Sequence, residues 1–154
     1  MMKENLPSKP TIIAGGIAVD DRGQLSFAND CPLDDVKRFY IVENFKESTV
    51  RAFHGHQHEA KYVLALSGSA IVAAVEMDNT EKPNKKNEVY RFVLSARSPS
   101  VLHIPKGFAN GWKALEAGTK IMFLSTVSME QTKGDDFRFP HDYWGEDVWK
   151  VENR

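Results

Sequence analysis

The sequence predicts an all-β fold, an antiparallel sandwich or barrel, built as a single domain. Short strand-like runs make up most of the chain, at residues 11–19, 36–42, 62–66, 70–77, 89–94, 100–104 and 120–126. Turn sequences separate these runs, and no segment keeps a helical spacing of apolar residues over a helix-length window. Many short strands at such even spacing are typical of sandwiches and barrels.

The turns that bound the strands follow in chain order. Asp20 to Gly23 ends the first run, Ser67-Gly68 ends the run 62–66, and Asp78-Asn79 ends the run 70–77. Residues 81–87 are polar and predict an exposed hairpin tip before the run 89–94. Residues 116–118 form the turn before the last strand. Gly, Asn, Asp and Pro are frequent in turns because they tolerate or preset the required backbone angles.

Both ends of the chain differ from this pattern. Residues 1–10 are polar, carry no apolar signal-peptide core, and are expected to be flexible. Residues 137–154 are rich in aromatic side chains. We expect this C-terminal segment to pack across the outside of the barrel or on a second subunit. The whole chain, residues 1–154, is therefore assigned to one domain.

Composition and charge exclude several classes of protein. The 154 residues suit one domain with its own core, and the net charge of −1 provides no general attraction for nucleic acid or acidic membranes. No apolar run is long enough to span a bilayer. Cys31 is the single cysteine, which excludes an internal disulfide and favours a cytoplasmic location. An anionic substrate would need a local cluster of Arg and Lys.

The densest group of reactive side chains lies between residues 50 and 61. His54, His56 and His58 stand at every second position, so they would share one face of a strand, and Lys61 follows closely. A neutral imidazole is a natural general base near neutral pH, and a lysine can stabilise a developing oxyanion. The alternative is a solvated or metal-binding histidine cluster on a loop.

The same segment is also a candidate metal site. His-X-His followed by an acidic residue resembles the first cupin motif, whose second motif should return a histidine after a Pro-X-Gly turn. Here Asn110 stands at that position, after Pro105 and Gly107. An amide carbonyl is a poor replacement for imidazole at a Zn, Fe or Ni site. We therefore expect no tightly bound catalytic metal and no other cofactor.

Several motifs together resemble the dTDP-4-dehydrorhamnose 3,5-epimerases. Four segments, residues 51–54, 59–63, 93–96 and 104–111, match in order the family patterns R-G-L-H, Q-X-K-L-V, L-S-A and I-P-X-G-F-A-H-G. The first half is equally similar to dTDP-sugar 3,4-ketoisomerases. Residues 21–25, 36–40, 53–56 and 136–142 match their D-R-G-X-L, K-R-X-Y, F-H-A-H and D-Y-I-R motifs. The resemblance covers about residues 21–149.

The resemblance implies a cupin-like jelly-roll β-barrel and assigns roles at the site. His54 would be the general base, Asp142 (or Asp136) would orient it, and Lys61 would support the enolate oxygen. The epimerases use a tyrosine as the acid, but here Phe123 stands in its place. A phenyl ring donates no proton, which leaves His56 and Tyr40 as candidate acids.

Substrate binding is also implied by the resemblance. Arg22 and Arg51 match arginines that hold the nucleotide diphosphate, and the planar guanidinium suits phosphate oxygens. The substrate-binding set is completed by three further side chains, Phe27, Asn110 and Trp112. Phe27, Phe108 and Trp112 could stack on a base or sugar, although a core position explains these aromatics equally well. Arg22 could equally be a turn residue before Gly23.

The sequence therefore predicts an isomerase that acts on a nucleotide-diphosphate-linked 4-keto-6-deoxy sugar, epimerising C3 and/or C5. The first alternative is a 3,4-ketoisomerase of a dTDP-4-keto-6-deoxyhexose, and the second is a non-catalytic cupin that binds a sugar nucleotide. We expect a homodimer, since the family resembled exchanges N-terminal strands and shares residues between sites. No nucleic-acid or membrane partner is expected.

Overall fold

A computed structural model of the protein describes residues 6–154. Its strands are β1 (Thr11–Ala14), β2 (Gly16–Asp20), β3 (Gly23–Phe27), β4 (Arg38–Glu43), β5 (Val50–His56), β6 (Lys61–Ser67), β7 (Ser69–Glu76), β8 (Val89–Ser95), β9 (Ser100–Ile104), β10 (Phe108–Ala114), β11 (Lys120–Ser125) and β12 (Phe137–Arg138). One turn of 3₁₀ helix, Glu146–Trp149, follows. Within the described residues no helix is long and apolar enough to cross a membrane.

Two five-stranded antiparallel sheets face each other. The first has the order β1-β9-β6-β11-β4, and the second has the order β12-β5-β10-β7-β8. Apart from the consecutive strands β7 and β8, neighbours in each sheet come from distant parts of the chain, as in a jelly roll, so the predicted all-β, cupin-like barrel is confirmed. We expected residues 1–10 to be flexible, and residues 1–5 of this segment lie outside the described part of the chain. Residues 6–10 form no helix or strand.

The first sequence-predicted strand is divided into two in the structure. The run 11–19 breaks at Gly15, where a Cβ would lie 2.3 Å from the carbonyl oxygen of Phe27 and 2.5 Å from that of Pro99. β1 joins the first sheet, whereas β2 pairs with β3 in a separate hairpin. This hairpin (residues 16–27) is the arm of the molecule, and it exposes Val19 and Leu25.

Strand β10 was not predicted because its sequence shows no alternation of apolar and polar residues. Phe108 and Trp112 point into the core between the sheets, while Ala109 lies in a second core on the outer face of the second sheet. A strand that is covered on both faces needs no polar face, so its pattern is lost.

The second core is formed with the C-terminal segment. Trp144 and Trp149 pack against Phe53, with ring centroids 4.8 and 5.6 Å apart. Their indole nitrogens donate to the backbone carbonyls of Asn84 and His141, at 3.1 and 2.8 Å. The segment therefore lies on the outer face of the chain's own second sheet.

The outer face of the first sheet has no such cover from the described residues. On β4 the alternate residues Phe39 and Ile41 point outward and are 62% and 50% exposed. The cross-strand partners of these two residues on β11 are Leu124 and Met122, and Met122 pairs in turn with Leu64 of β6. These five side chains define an apolar outer face.

Candidate active site

A cavity of about 350 Å³ opens at one end of the barrel, between the inner faces of the two sheets. Strands β4, β6 and β11 line it from one side, and β5, β10 and β12 line it from the other. Its charged and polar side chains are Arg38, Tyr40, Arg51, His54, His56, Glu59, Lys61, Asn110, Thr132, Asp136 and Arg138. Trp112, Phe123, Val42, Gly111 and Met129 complete the wall.

Arg51 and His54 both face this cavity although they are three positions apart, which ordinary strand alternation would not allow. The register of β5 against β10 shifts around Gly111, so that one residue of β10 stands opposite two of β5. Such a bulge advances the alternation by one residue. Strands β5 and β10 approach closely there, since a Cβ on Gly111 would lie 2.2 Å from the Cβ of Ala52 and 2.7 Å from the carbonyl oxygen of Arg51.

His54 has a carboxylate behind one ring nitrogen. Its Nδ1 lies 4.0 Å from Oδ1 of Asp136, and Asp136 accepts hydrogen bonds from Nε and Nη2 of Arg138, both at 3.2 Å. Partial burial lowers the pKa of His54, and the positive charge of Arg138 lowers it further, while Asp136 opposes both effects. The lowered pKa of His54 favours the neutral form, which a proton acceptor needs.

His56 is buried, and its Nδ1 contacts the backbone carbonyl oxygen of Asp135 and lies 3.4 Å from Oε2 of Glu59. Oxygen atoms of these two kinds accept hydrogen bonds, so Nδ1 carries the hydrogen and Nε2 is left for the cavity. The Asp135 carboxylate accepts the backbone N–H groups of Gln57 and His58 at 2.7 and 2.9 Å. This clamp ties the loop after β11 to the end of β5.

Lys61 lies at the bottom of the cavity and is only 5% exposed. Its Nζ sits 5.6 Å from the ring centroid of Phe123 and makes no hydrogen bond or ion pair with any of residues 6–154 at the distances usual for such bonds. Burial lowers the pKa of Lys61, and the carboxylate of Glu59 works against that effect. The amine of Lys61 is thus left available to an anionic oxygen in the cavity.

Tyr40 and Phe123 are direct cross-strand neighbours on β4 and β11. Their rings stack with centroids 5.0 Å apart and planes 10° from parallel. Burial raises the pKa of Tyr40, and the nearby charge of Glu59 adds to this, so its hydroxyl keeps its proton. Tyr40 therefore brings an O–H donor to the wall on which Phe123 offers none.

The cavity carries an excess of positive charge. Four cationic side chains line it (Arg38, Arg51, Lys61 and Arg138), against the carboxylates of Glu59 and Asp136. Nε of Arg51 donates to the amide oxygen of Asn44 at 2.6 Å, which orients the guanidinium. A cluster of this kind suits an anionic ligand in a protein with almost no net charge.

Four side chains singled out in the sequence lie outside the cavity of their own chain. Asp136 faces His54, whereas Asp142 is exposed in the C-terminal segment and does not line the cavity. Arg22 lies on the arm, paired with Asp20, and also stays outside the cavity of its own chain, as does Phe27. β5 ends at His56, so His58 leaves the shared face and lines a separate groove.

Arg38, Glu59 and Arg138 line the cavity but were not predicted as site residues. Arg38 could have been found, because it stands two positions before Tyr40 on β4 and alternation places both on one face. Glu59 and Arg138 have no periodic signal, since the first lies in a loop and the second on a strand of two residues.

The side chains of the cavity are not arranged as a set of metal ligands among the described residues. Asn110 is buried and donates its side-chain amide to the carbonyl oxygen of His54 at 3.4 Å, and Glu59 is engaged by Arg38 and Ser125. Among residues 6–154 no three side chains of His, Cys, Asp or Glu are grouped so as to hold a metal ion.

An antiparallel jelly roll that encloses a polar cavity at one end is the architecture of cupin-type enzymes. A family model described as dTDP-4-dehydrorhamnose 3,5-epimerase matches residues 24–141, and the chain belongs to that family. Over 132 residues it is also 27% identical to the spore coat polysaccharide biosynthesis protein SpsL of Bacillus subtilis strain 168. That match covers 80% of this chain and 82% of SpsL.

Solved structures show the same fold. The RmlC epimerase of Mycobacterium tuberculosis superposes with a TM-score of 0.74 at 18% identity, covering 96% of this chain and 76% of that one. The sugar 3,4-ketoisomerase QdtA of Thermoanaerobacterium thermosaccharolyticum, in complex with TDP, gives 0.67 at 20% identity, covering 90% and 94%. The dTDP-4-dehydrorhamnose 3,5-epimerase of Bacillus anthracis, with TDP and PPi bound, gives 0.70 at 17% identity, covering 94% and 86%.

Proposed function

We propose that this protein isomerises a nucleotide-diphosphate-linked 4-keto-6-deoxy sugar by removing a proton from the carbon next to the ketone. The C4 carbonyl acidifies the hydrogens at C3 and C5. A base takes one of them, the electrons of the C–H bond form an enediolate, and a proton returns. Return to the opposite face of the same carbon gives an epimer, and return to C4 gives a 3-keto sugar.

The observation that carries this proposal is the meeting of His54 and Lys61 in one cavity. His54 is neutral, has Asp136 behind it, and serves as the base. Lys61 is buried, has no hydrogen-bond or ion-pair partner among residues 6–154, and serves as the cation for the enolate oxygen. Preorganised charge at the point where an oxyanion develops is commonly the largest contribution to such catalysis.

The cationic side chains that line the cavity are suited to bind the diphosphate group of the substrate. Arg51 and Arg138 line the cavity at its exposed side, and guanidinium groups pair well with phosphate oxygens. The relatives from Thermoanaerobacterium thermosaccharolyticum and Bacillus anthracis were solved with TDP. We therefore take a dTDP-linked sugar as the first substrate to test.

A 3,4-ketoisomerase is the second candidate, and the pair His54 and His56 favours it. Both histidines face the cavity from one strand, and Phe123 removes the tyrosine acid of the epimerases. Among the solved relatives are 3,4-ketoisomerases, one of them in complex with TDP-4-keto-6-deoxyglucose. A proton donor on the histidine side favours a single transfer, to C3 or to C4.

We also infer that the active form is a homodimer joined through the apolar outer face. Monomeric proteins rarely leave a large contiguous apolar patch in water. The arm carries Arg22 and Phe27 away from the cavity of its own chain, and the family resembled exchanges its N-terminal strands. A partner's arm would bring these two side chains to the diphosphate and the base.

The test is incubation with dTDP-4-keto-6-deoxyglucose in D₂O, followed by NMR of the sugar ring. We expect deuterium at C3 or C4 alone, catalysed by the wild type. His54→Ala should fold normally and lose this exchange by about 10²–10⁴-fold, the usual cost of removing a general base.

Three other results would each change the conclusion. A His54→Ala variant with wild-type exchange would remove His54 as the base. Rapid deuteration at both C3 and C5, with a rhamnose-type product, would mean that Phe123 has been compensated and that the protein is a two-centre epimerase. Binding of the sugar nucleotide with no exchange at all would identify a non-catalytic binding protein.

A further inference from the structure

Glu59 is a buried carboxylate that the mechanism above does not use. Its side chain is 1% exposed, and both oxygens are engaged. Oε1 accepts a hydrogen bond from the hydroxyl of Ser125 at 2.6 Å and lies 3.5 Å from Nη2 of Arg38, while Oε2 lies 3.4 Å from Nδ1 of His56. The related epimerase pattern quoted above has a glutamine at this position.

The three groups around Glu59 are all donors. Ser125 presents a hydroxyl, Arg38 presents a guanidinium N–H, and His56 presents Nδ1–H, because its other contact is the carbonyl oxygen of Asp135. Only a carboxylate has acceptors on both of its terminal atoms. A glutamine would turn its NH₂ group toward one of these donors, so that two donors would face each other. The site is therefore built for a charged residue.

We propose that Glu59 is a positioning residue that stabilises the protonated form of His56, so that His56 supplies the acid that Phe123 cannot. This inference rests on the proposed isomerase function. The arrangement has the logic of a carboxylate behind a histidine, which holds one ring tautomer and stabilises the imidazolium. Nδ1 stays occupied, and Nε2 presents its proton to the cavity.

The proton balance closes over one turnover. His54 takes the proton from C3, and the C–H electrons become the C3–C4 double bond of the enediolate. The Nε2–H of His56 then gives its proton to C3, for an epimer, or to C4, for the 3-keto sugar. In the second case the hydroxyl proton moves from O3 to O4. His54 ends charged and His56 neutral, and exchange with solvent resets both.

The charged and titratable neighbours fit this division of labour. Arg38 and Tyr40 face Glu59 from β4, and Lys61 faces it from β6. The charge of His56, two positions away on β5, lowers the pKa of His54. The charge of Asp136, in the loop before β12, raises it. The two histidines therefore have separate carboxylates, with Asp136 serving the base and Glu59 serving the acid.

The first experiment needs no turnover. Protein labelled with ¹⁵N in histidine is titrated by NMR, and His56 is assigned with a His56→Asn variant. The wild type should hold His56 as the Nδ1–H tautomer when neutral and keep it protonated to higher pH than Glu59→Gln does. The matched control is Glu116→Gln, which removes a surface carboxylate paired with Arg97 outside the cavity and should leave the His56 signals unchanged.

The second experiment separates the acid step from the base step. In D₂O, Glu59→Gln should still wash deuterium into C3 of recovered substrate within a few-fold of wild type, because His54 is intact. Product formation should fall at least about tenfold, within the range that general acids contribute. Glu59→Asp, which keeps the charge, should recover part of the product rate. Thermal unfolding of each variant confirms that it is folded.

Two outcomes overturn the inference while leaving the proposed function intact. One is a Glu59→Gln variant that forms product at the wild-type rate. The other is an equal fall of exchange and product formation in Glu59→Gln that Glu59→Asp does not relieve, which indicates a purely structural role. A wild type with neither exchange nor product removes the isomerase function and the acid role together, and the NMR titration then still decides whether Glu59 stabilises protonated His56.

Discussion

Two charged neighbours of His54 have opposite effects on its pKa. Burial and Arg138 lower its pKa from the ordinary value of 6.5, while Asp136 raises it. A base works in its neutral form, and a lowered pKa extends that form to more acidic solutions. His54 is thus suited to act at neutral pH, with its protonation state adjusted by an ion pair that lies beside it.

The pH dependence of deuterium exchange tests this arrangement. We expect the acidic limb of kcat/KM to lie below pH 6.5, since it reports His54 in the free enzyme. Asp136→Asn removes the charge that raises the pKa, so the limb should move to lower pH. Arg138→Gln removes a charge that lowers it, so the limb should move to higher pH.

The directions of these shifts matter more than the rates, because either variant could also bind substrate less well. Lys133→Gln is the matched control, since it removes an exposed cation that pairs with Glu130 outside the cavity. A limb that stays in place in both Asp136→Asn and Arg138→Gln would contradict the assignment of His54 as the titrating base.

One bulge between strands β5 and β10 allows the side chains of Arg51 and His54 to face the same way. Without it, alternation would send one of these side chains into the core under the C-terminal segment. The bulge brings the backbones so close that position 111 has no room for a Cβ. A local irregularity in one pair of strands therefore brings His54, the proposed base, and Arg51, the proposed diphosphate ligand, to one wall.

Gly111→Ala should damage both stability and activity. The added methyl group would meet the Cβ of Ala52 at 2.2 Å and backbone atoms of β5 at 2.7–2.8 Å, and the backbone atoms cannot move without shifting the strand. We expect a loss of about 1–3 kcal/mol in the free energy of unfolding, as for other overpacked sites, together with a lower exchange rate per folded molecule. Urea unfolding and D₂O exchange measure the two effects.

Gly118→Ala is the comparison for this element. Gly118 has a positive φ of 74° and open space around it, in a turn outside the cavity. Alanine there should cost about 1 kcal/mol through backbone strain but leave the exchange rate per folded molecule unchanged. Equal activity losses in Gly111→Ala and Gly118→Ala would show that the bulge has no particular role in the site.

At the scale of the whole molecule, the apolar outer face and the arm predict a dimer. Sedimentation velocity should give a mass of twice the 17.4 kDa chain. Ile41→Glu places a charge in the apolar outer face and should produce monomers. Val93→Glu, on the exposed side of β8 and equally accessible, should leave the dimer intact. A wild type that sediments as a monomer would refute the association.

The same dimer can be tested for a shared site by mixing chains. Arg22→Ala should weaken nucleotide binding more than tenfold, since each charge-assisted hydrogen bond contributes about 1.5–3 kcal/mol. Mixed dimers of Arg22→Ala and His54→Ala chains should regain activity, because one site then combines an intact His54 with the partner subunit's Arg22. No recovery in proven mixed dimers would place Arg22 elsewhere.

Much of the architecture follows from local sequence. Alternation and turn residues predicted seven strand segments, and the spacing of His54 and His56 predicted their common face. The predictions missed strands where local pattern is absent, as in β10, which is covered on both sides. Periodicity reports which faces of a strand meet water, and a strand without a wet face carries no such signal.

The sequence by itself determined the class of fold, the family and the segment that holds the histidines, because these depend on residue type and on the order and spacing of motifs along the chain. The tertiary structure decided which carboxylates stand beside those histidines. Asp136 and Asp142 are six residues apart and chemically equal, but the clamp between Asp135 and the end of β5 brings only Asp136 to His54. Tertiary packing likewise brings Glu59 into contact with Arg38 and Ser125. Distances between segments that are remote in sequence are set by packing, and no local pattern encodes them.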